Sequence, residues 1–461
     1  MDWSVKRLRD RKPEFNSEPL DDADLAQDNP AGLIVEPQDD MLNLKVSIHR
    51  ALLDKINLAM LDKLPREQVV TEISGIIREL LAEGQHVLNS QERAALVDDV
   101  MDELLGLGPL EPLLKDETIT DILVNGFETV FVERFGLLEH VSTRFQDEKH
   151  LLRIIQKIVS SVGRRIDEST PFADARLADG SRVNAIVAPL AIDGSLLSIR
   201  KFAKIPINMA KMIDLDSLPE DMATVLSAIV QAKLNVLISG GTGSGKTTML
   251  NALSSYINRR ERIVTIEDSA ELQLQQAHVA RLETRPPNIE GKGEVTQRDL
   301  VKNALRMRPD RIILGEVRSG EAFDMLQAMN TGHEGSMTTV HANTPRDALA
   351  RIEQMIGMSG VDMPQKSARA QIASAIHIVL QIARLADGRR KVVSLSEITG
   401  MEGEIISMQE IFHFRQTGRG EDGNVSGAFE ATGIRPKFCK QTDAAGIHLH
   451  ADLFKPKYGG E

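Results

Sequence analysis

Residues 236–247 read Val-Leu-Ile-Ser-Gly-Gly-Thr-Gly-Ser-Gly-Lys-Thr, an apolar run that passes into a glycine-rich one. The apolar run is typical of a short buried strand, and residues 240–247, here called the glycine loop, match the pattern G-x-x-x-x-G-K-T in full. Glycines let such a loop wrap closely, so that backbone N–H groups and the start of the next helix point at phosphate oxygens. The stretch therefore predicts a strand, a phosphate-binding loop and a helix.

The side chains of the glycine loop have different expected tasks. Lys246 should reach the β- and γ-phosphates of a nucleotide, and the Thr247 hydroxyl should bind Mg²⁺. ATP and Mg²⁺ are therefore the cofactors that this pattern predicts. The predicted nucleotide-binding segment consists of Gly241, Thr242, Gly243, Ser244, Gly245, Lys246, Thr247 and Thr248.

Further segments of the same strand type follow the loop at 263–266, 311–314 and 336–340, with helix-like segments between them. This alternation of strands and helices predicts a mostly parallel sheet that is covered by helices. We assign this α/β domain to residues 213–461.

Acidic residues follow two of these predicted strands. Glu267 and Glu271 come after the run at 263–266, and Glu316 comes after the run at 311–314. Because ligands bind beyond the carboxyl ends of the strands in such sheets, these carboxylates are candidates for hydrolysis. Either Glu271 or Glu267 would act on the attacking water, and Glu316 would hold Mg²⁺ through water. The alternative for any one of them is a solvated loop acid.

Two histidines, His333 and His341, border a segment that ends one of the predicted strands. Their spacing does not match the H-E-x-x-H pattern of zinc enzymes. A histidine satisfied by its structural surroundings remains one interpretation. The other is that His341, at a strand end near the phosphates, senses the nucleotide through a hydrogen bond.

The residues before the glycine loop show a different pattern of strand-like and helix-like segments. Residues 107–203 contain strand-like pieces, including a pair around the Asn125-Gly126 turn, and one helix from about residue 148 to 162. Strands with a helix on one face predict an α+β domain, followed by a linker at 204–212.

The N-terminal hundred residues fall into two parts. Residues 41–106 show three short segments with apolar residues at helical spacing, which predicts a three-helix bundle. Residues 1–40 are rich in acidic residues and prolines, and we expect this tail to be disordered. A solvating tail and a partner-binding tail both fit this composition.

Composition excludes several classes of protein. The net charge of −12 and the aromatic content of 3% argue against nucleic-acid binding. A single cysteine, Cys439, excludes an intramolecular disulfide and a cysteine-based zinc site. No apolar stretch has the length of a membrane helix and the N-terminus lacks an apolar signal core, so we expect a soluble cytoplasmic protein.

Taken together, the motifs resemble those of the type II/type IV secretion ATPase superfamily. The matching segments are the glycine loop, an Asp box at 265–268, a Walker B segment at 305–316 and a histidine box at 332–343. Within the superfamily, residues 108–126, 174–184 and 198–202 resemble the Tad/Flp-type pilus assembly ATPases. The resemblance extends from about Leu42 to the C-terminus.

This resemblance implies a homo-hexameric ring at the cytoplasmic face of the inner membrane. Each nucleotide would lie between a PAS-like N-terminal domain and a RecA-like C-terminal domain, and ATP hydrolysis would drive a membrane-embedded pilus platform. Glu271 resembles the catalytic glutamate, and Arg182 and Arg200 resemble the arginines that reach the γ-phosphate. Additional candidates are Arg176, which would assist, and Arg306 and Arg308, which would act across a subunit boundary.

One difference from the superfamily pattern reduces the number of branches to which the chain could belong. Type II secretion ATPases and many type IV pilus extension ATPases carry a tetracysteine zinc module, which a chain with one cysteine cannot form. This favours the Tad and type IV secretion branches, and the long helical N-terminal part favours Tad. A conjugation-type or type IV secretion traffic ATPase is the alternative function, and a nucleotide-binding scaffold without turnover is a third.

Overall fold

The computed structural model describes residues 66–83, 88–202, 207–287, 292–420 and 423–456, together with residues 44, 47, 48, 51 and 52. The chain divides into two compact units, Met1–Gly108 and Pro109–Glu461. The predicted acidic tail at 1–40 lies outside the described residues.

The first unit is helical. Its complete helices are α1 (Arg66–Glu83) and α2 (Ser90–Leu105). Helix α2 begins with a capping box, in which the Asn89 side chain accepts from the Glu92 N–H and the Glu92 carboxylate accepts from the Asn89 N–H. Apolar side chains at helical spacing form one core that also includes residues of an earlier helical segment: Ile48, Leu52, Val69, Ile73, Ile77, Leu81, Leu96, Val100 and Met101.

The second unit opens with a sheet in which every neighbouring pair of strands is antiparallel. A short helix α3 (Glu111–Lys115) precedes it, and α4 (Glu148–Ser161) supplies the apolar side chains that cover one face. The order is β3-β2-β1-β6-β5-β4. The strands are β1 (Ile119–Asn125), β2 (Thr129–Arg134), β3 (Leu137–Val141), β4 (Phe172–Arg176), β5 (Arg182–Ile186) and β6 (Leu196–Arg200).

A nine-stranded sheet forms the rest of the unit, in the order β15-β14-β13-β12-β7-β11-β10-β8-β9. The strands from β12 to β9 in this order are parallel, as the sequence predicts, and β12 to β15 are antiparallel. The strands are β7 (Val236–Gly240), β8 (Ile263–Glu267), β9 (Val279–Glu283), β10 (Arg311–Val317), β11 (Met337–Val340), β12 (Ile378–Arg384), β13 (Arg390–Glu402), β14 (Ile405–Arg419) and β15 (Val425–Ala431).

Helices cover both faces of this sheet, and alternate residues of each strand point to opposite cores. Val236 and Ile238 of β7 belong to one apolar core, whereas Leu237 belongs to the other. The helices are α5 (Met209–Asp214), α6 (Glu220–Gln231), α7 (Lys246–Ser254), α8 (Gln297–Ala304), α9 (Glu321–Asn330), α10 (Pro345–Met358), α11 (Gln365–Ala375) and α12 (Cys439–Ala444). Across the described residues, no helix combines the length and the apolar character needed to cross a membrane.

The structure differs from the sequence predictions in three places. Helix α5 occupies the second half of the predicted linker, where Asn208 caps its first turn. The strand-like piece at 182–190 predicts one strand, but β5 ends at Ile186, because the chain turns at Pro189, which has no N–H for a ladder. The antiparallel strands β13 to β15 were not predicted.

Candidate functional site

The glycine loop joins β7 to α7 at the carboxyl edge of the parallel strands. A side chain at Gly240 would lie 2.5 Å from the carbonyl oxygen of Ile382, so the loop requires glycine there. Gly245 has φ of +97° and occupies the N-cap of α7 without a side-chain capping bond. The first N–H groups of α7 have no intrahelical partner, which fits them to bind an anion.

Lys246 is folded back onto the loop that carries it. Its Nζ donates to the carbonyl oxygens of Gly240 and Gly241, each at 3.0 Å, and lies 3.8 Å from Glu316 Oε1. Burial lowers the pKa of Lys246, and the Glu316 charge opposes that effect. The ammonium thus holds the loop closed in a position from which it can transfer to a phosphate.

The two candidate carboxylates at the carboxyl end of β8, Glu267 within the strand and Glu271 beyond it, have different surroundings. Glu267 is 3% exposed, and its Oε2 accepts from the N–H groups of Glu271 (2.7 Å) and Leu272 (2.8 Å). Burial raises the pKa of Glu267, and its Oε1 is buried without a hydrogen-bond partner. Glu267 therefore shapes the turn on which Glu271 stands.

Glu271 is partly exposed and faces the antiparallel sheet. Its Oε1 accepts from Arg182 Nη1 of β5 at 2.6 Å, and both residues line a cavity that Thr247 of the glycine loop also lines. A carboxylate that is held by a guanidinium and lines a cavity can orient a water.

Arg182 belongs to a line of charged residues that crosses the antiparallel sheet, which we call the cross-sheet row. In order across the strands the row consists of Arg176, Arg182, Arg200, Asp121 and Glu133, each directly opposite the next. Directly opposed residues of antiparallel strands share a face, so all five point the same way.

The contacts of the row show which way that face points. Arg176 donates to Ser269 Oγ (2.6 Å), in the loop after β8, and pairs with Glu283 of β9 (3.1 Å). Arg200 Nε donates to Asp121 Oδ1 at 3.1 Å within the row. Both arginines of interest, Arg182 and Arg200, are thus neutralised by carboxylates in this conformation.

Glu316 lies on β10 at a bulge that follows Leu314, where the pairing with β11 shifts by a residue. Its Oε2 accepts from Arg318 Nε (2.9 Å) and Nη2 (2.6 Å), and Arg318 also lies 3.4 Å from Asp268. Arg318, Asp121 and Glu133 were not predicted from the sequence as site residues.

The remaining predicted residues fall on two edges of the sheet. His341 directly follows β11, so it lies at the same edge as the glycine loop. His333 precedes that strand and lies at the other edge. Arg306 and Arg308 precede β10, are exposed, and also lie at that other edge. Within one chain, the structure does not bring these three to the glycine loop.

A cavity of about 210 Å³ lies between the two sheets at the glycine loop. Its lining includes Arg182, Arg200, Thr247, Thr248, Asn251 and Glu271. Beside it runs a wider groove of about 1010 Å³, which also contains Arg182 and Arg200. Thr247 and Thr248 of the predicted nucleotide-binding segment, the predicted arginines and Glu271 therefore all line one cavity.

The described residues contain no group of three or more His, Cys, Asp or Glu side chains that could hold a metal ion by themselves. The Thr247 hydroxyl and the Glu316 carboxylate both lie at the glycine loop's edge of the sheet. These two donors fit a Mg²⁺ ion whose other ligands are phosphate oxygens and water.

Comparisons with known proteins give the following matches. Residues 103–444 match the type II/IV secretion system protein family. A candidate conjugal transfer protein of Mycobacterium tuberculosis is 38% identical over 325 residues, which cover 69% of this chain and 92% of that protein. The type IV secretion system protein VirB11 of Bartonella henselae is 32% identical over 345 residues, covering 66% of this chain and 94% of that one.

Among solved structures, the VirB11 ATPase of Brucella suis in complex with sulphate is 26% identical. The match covers 62% of this chain and 94% of that chain, with a TM-score of 0.34.

Proposed function

The chain belongs to the type II/IV secretion system protein family, and from this premise we propose that it is the motor ATPase of a conjugation or type IV secretion apparatus. Members of the family hydrolyse ATP, and ATP hydrolysis is the reaction of this chain. The relatives named for conjugal transfer and type IV secretion support this function over pilus assembly, which the sequence motifs favoured.

The observation that carries the proposal is the bond between Arg182 and Glu271. It joins the antiparallel sheet to the carboxyl edge of the nine-stranded sheet, at the cavity that Thr247 of the glycine loop also lines. A site divided between two sheets responds to their relative movement, which is what a motor needs in order to convert hydrolysis into displacement.

We assign roles to residues on this geometry. Residues 241–248 bind the phosphates, with Lys246 on the β- and γ-phosphates. Glu271 orients the attacking water, while Glu267 positions the turn that carries it. Arg182 and Arg200 stabilise negative charge on the γ-phosphate, and His341 senses the nucleotide from the end of β11. Mg²⁺, when bound by Thr247 and through water by Glu316, neutralises phosphate charge.

The domain and subunit organisation follows from the same proposal. Residues 107–203 form the PAS-like domain and 213–461 the RecA-like domain, with residues 41–106 as a helical unit. Six copies form a ring at the cytoplasmic face of the inner membrane and act on membrane-embedded partners. Support comes from the family relationship and from the charged residues that the cross-sheet row presents.

Pilus assembly of the Tad/Flp type is the second candidate. Its specific support is the helical unit, because α1 and most of α2 lie before the residues that match the family. The segments that resemble Tad/Flp-type ATPases, at 108–126, 174–184 and 198–202, belong to the part of the chain that forms the six-stranded antiparallel sheet.

A deletion in the cell that carries this chain distinguishes the two candidate functions. We expect its deletion to abolish DNA or protein transfer while pilin still reaches the cell surface, and the purified chain to release phosphate from Mg·ATP over many turnovers. Loss of surface pilin with unchanged transfer would instead establish the pilus function. Absence of phosphate release would leave only the scaffold interpretation.

The two carboxylates after β8 give a further prediction. Glu271→Gln should keep nucleotide binding and lower kcat by about 10²-fold or more, because an amide cannot act as a base toward the attacking water. Glu267→Gln should have the smaller effect, since its amide oxygen still accepts from both N–H groups of the turn. Steady-state phosphate release and nucleotide titration on each variant measure this.

Glu283→Gln is the matched control, because that carboxylate also pairs with an arginine of the cross-sheet row. Its kcat should stay within about twofold of wild type, as for most surface substitutions. A larger kcat loss in Glu267→Gln than in Glu271→Gln would reverse the two assigned roles.

A further inference from the structure

The cross-sheet row ends at Glu133, and this carboxylate contacts two arginines of the other sheet. Its Oε1 lies 3.6 Å from Arg390 Nη2, and its Oε2 lies 3.6 Å from Arg384 Nη1. The Glu133 side chain is 17% exposed, so the three charges are partly shielded from water.

Arg390 extends this contact to the glycine loop. Its Nε donates to the carbonyl oxygen of Gly243 at 2.8 Å, while its Nη2 faces Glu133. One guanidinium therefore connects a strand of the antiparallel sheet with the middle of the glycine loop. A planar guanidinium can hold both partners in fixed directions at once, which an ammonium cannot.

Backbone contacts fix the same junction. A Cβ on Gly136, in the turn between β2 and β3, would lie 3.1 Å from the carbonyl oxygen of Gly388, in the turn between β12 and β13. A Cβ on Gly388 would lie 3.3 Å from the carbonyl oxygen of Phe135. Both glycines have positive φ, so the two turns approach backbone to backbone. Glu133 and Arg390 each lie within three residues of this contact.

The Gly243 peptide is the part of the loop on which this bridge acts. Gly243 has φ of +67°, and Arg390 holds its carbonyl oxygen. A fixed carbonyl direction also fixes the direction of the next N–H group, which belongs to Ser244. The bridge thus sets the loop in one arrangement before any nucleotide binds.

We propose that Glu133 is a positioning residue for nucleotide binding, which acts through Arg390 on the Gly243 peptide. This inference rests on the proposed function. Because the bridge touches neither Glu271 nor the γ-phosphate arginines, it governs how tightly the loop binds phosphates and leaves the chemical step to other residues. It also links nucleotide affinity to the place where the antiparallel sheet docks.

The test uses full-length protein and four variants: Glu133→Gln, Arg390→Gln, Arg390→Lys and the double variant Glu133→Gln/Arg390→Gln. Titration with ADP and ATP, kcat, KM and the melting temperature are measured for each. In both single Gln variants we expect ADP and ATP affinity to fall equally, by about tenfold, as for loss of a charge-assisted hydrogen bond. The kcat at saturating ATP should change far less.

Two of the variants identify the mechanism. The double variant should bind nucleotide within about twofold of Arg390→Gln, because the two residues act in one connection. Arg390→Lys keeps the charge near the phosphates but cannot hold Glu133 and Gly243 together, so it should resemble Arg390→Gln. Full affinity in Arg390→Lys would show that charge alone matters and would overturn the positioning role.

Glu139→Gln is the matched control. Glu139 lies on β3 next to β2 and pairs with Arg134 at 3.2 Å, and Arg134 also pairs with Asp116, away from the glycine loop. Nucleotide affinity should be unchanged in this variant. Unchanged affinity in Glu133→Gln as well, or a loss that follows the melting temperature, would refute the inference. Failure of wild type to bind nucleotide would instead refute the proposed function.

Discussion

Lys246→Ala is expected to abolish ATP turnover, with kcat lowered by about 10³-fold or more, in the range for loss of a preorganised charge at the reacting group. The neutral methyl group cannot offset the charge that develops on the transferred phosphoryl group. It also cannot donate to the carbonyl oxygens of Gly240 and Gly241, which Lys246 holds in this conformation. Phosphate release at saturating Mg·ATP measures the loss.

The control for this variant is Lys302→Ala, which removes an exposed lysine of α8. Its turnover should equal that of wild type. Because Lys246 also stabilises the loop, the melting temperature and ADP affinity of Lys246→Ala should be measured on the same preparation. Turnover within about tenfold of wild type would contradict the assignment of the glycine loop, since loss of one preorganised donor to the transition state already lowers kcat by about 10²-fold or more.

The glycine loop could be predicted because all its functional groups are consecutive in the sequence. Strand β7, the loop and α7 follow one another without interruption, and the residue pattern of the loop is typical of one known backbone geometry. The parallel strands β8, β10 and β11 could be predicted for a related reason, since each is a short buried stretch rich in β-branched residues.

The cross-sheet row could not be predicted in the same way. Its alignment depends on the register of four strand pairs, and in the β1–β2 pair the register shifts between Ile119 and Asp121. A shift of one residue would turn Asp121 to the opposite face. The sequence placed Arg182 and Arg200 on strands, but their common direction and the contacts of Glu133 required the structure.

Strand β13 shows why the antiparallel half of the large sheet was missed. Lys391 is buried within it, where its Nζ donates to Asp216 at 2.6 Å and lies 4.9 Å from the Phe414 ring centroid. A lysine inside an apolar run normally indicates an exposed face. Its partners are distant in sequence, so only the folded chain shows how the charge is satisfied.

The choice between Glu267 and Glu271 was open in the sequence because both follow the same strand. Burial separates them. One carboxylate oxygen of Glu267 accepts from two backbone N–H groups, whereas the Glu271 carboxylate accepts from Arg182 at the cavity. The turn between Glu267 and Glu271 therefore gives the two residues different surroundings, and we expect different roles for them.

The double variant Arg182→Ala/Arg200→Ala is expected to keep ADP affinity, weaken ATP affinity and lower kcat by about 10²-fold or more, in the range for lost transition-state charge stabilisation. Both side chains line the cavity at the glycine loop, although they come from the other sheet. They can therefore reach a γ-phosphate, which ADP lacks, only while the two sheets are close together.

The conformation described here indicates how that contact would form. Arg182 is held by Glu271 and Arg200 by Asp121, so each arginine must exchange a carboxylate for the phosphate when ATP binds. Release of Glu271 from Arg182 would free that carboxylate for the attacking water at the same moment. Hydrolysis would then be possible only after the exchange, which couples chemistry to closure of the sheets.

Each single variant should reveal one half of this exchange. Arg182→Ala frees Glu271 without ATP, so its kcat loss comes only from the missing charge on the phosphate. Arg200→Ala removes the arginine that pairs with Asp121, whose carboxylate then lies beside the Glu133 carboxylate on the same face and is repelled by it. Arg165→Ala, which removes an exposed arginine of the same domain paired with Asp167, should retain wild-type kcat and ATP affinity. Near-normal turnover in the double variant would confine the chemistry to the nine-stranded sheet and refute the two-sheet site.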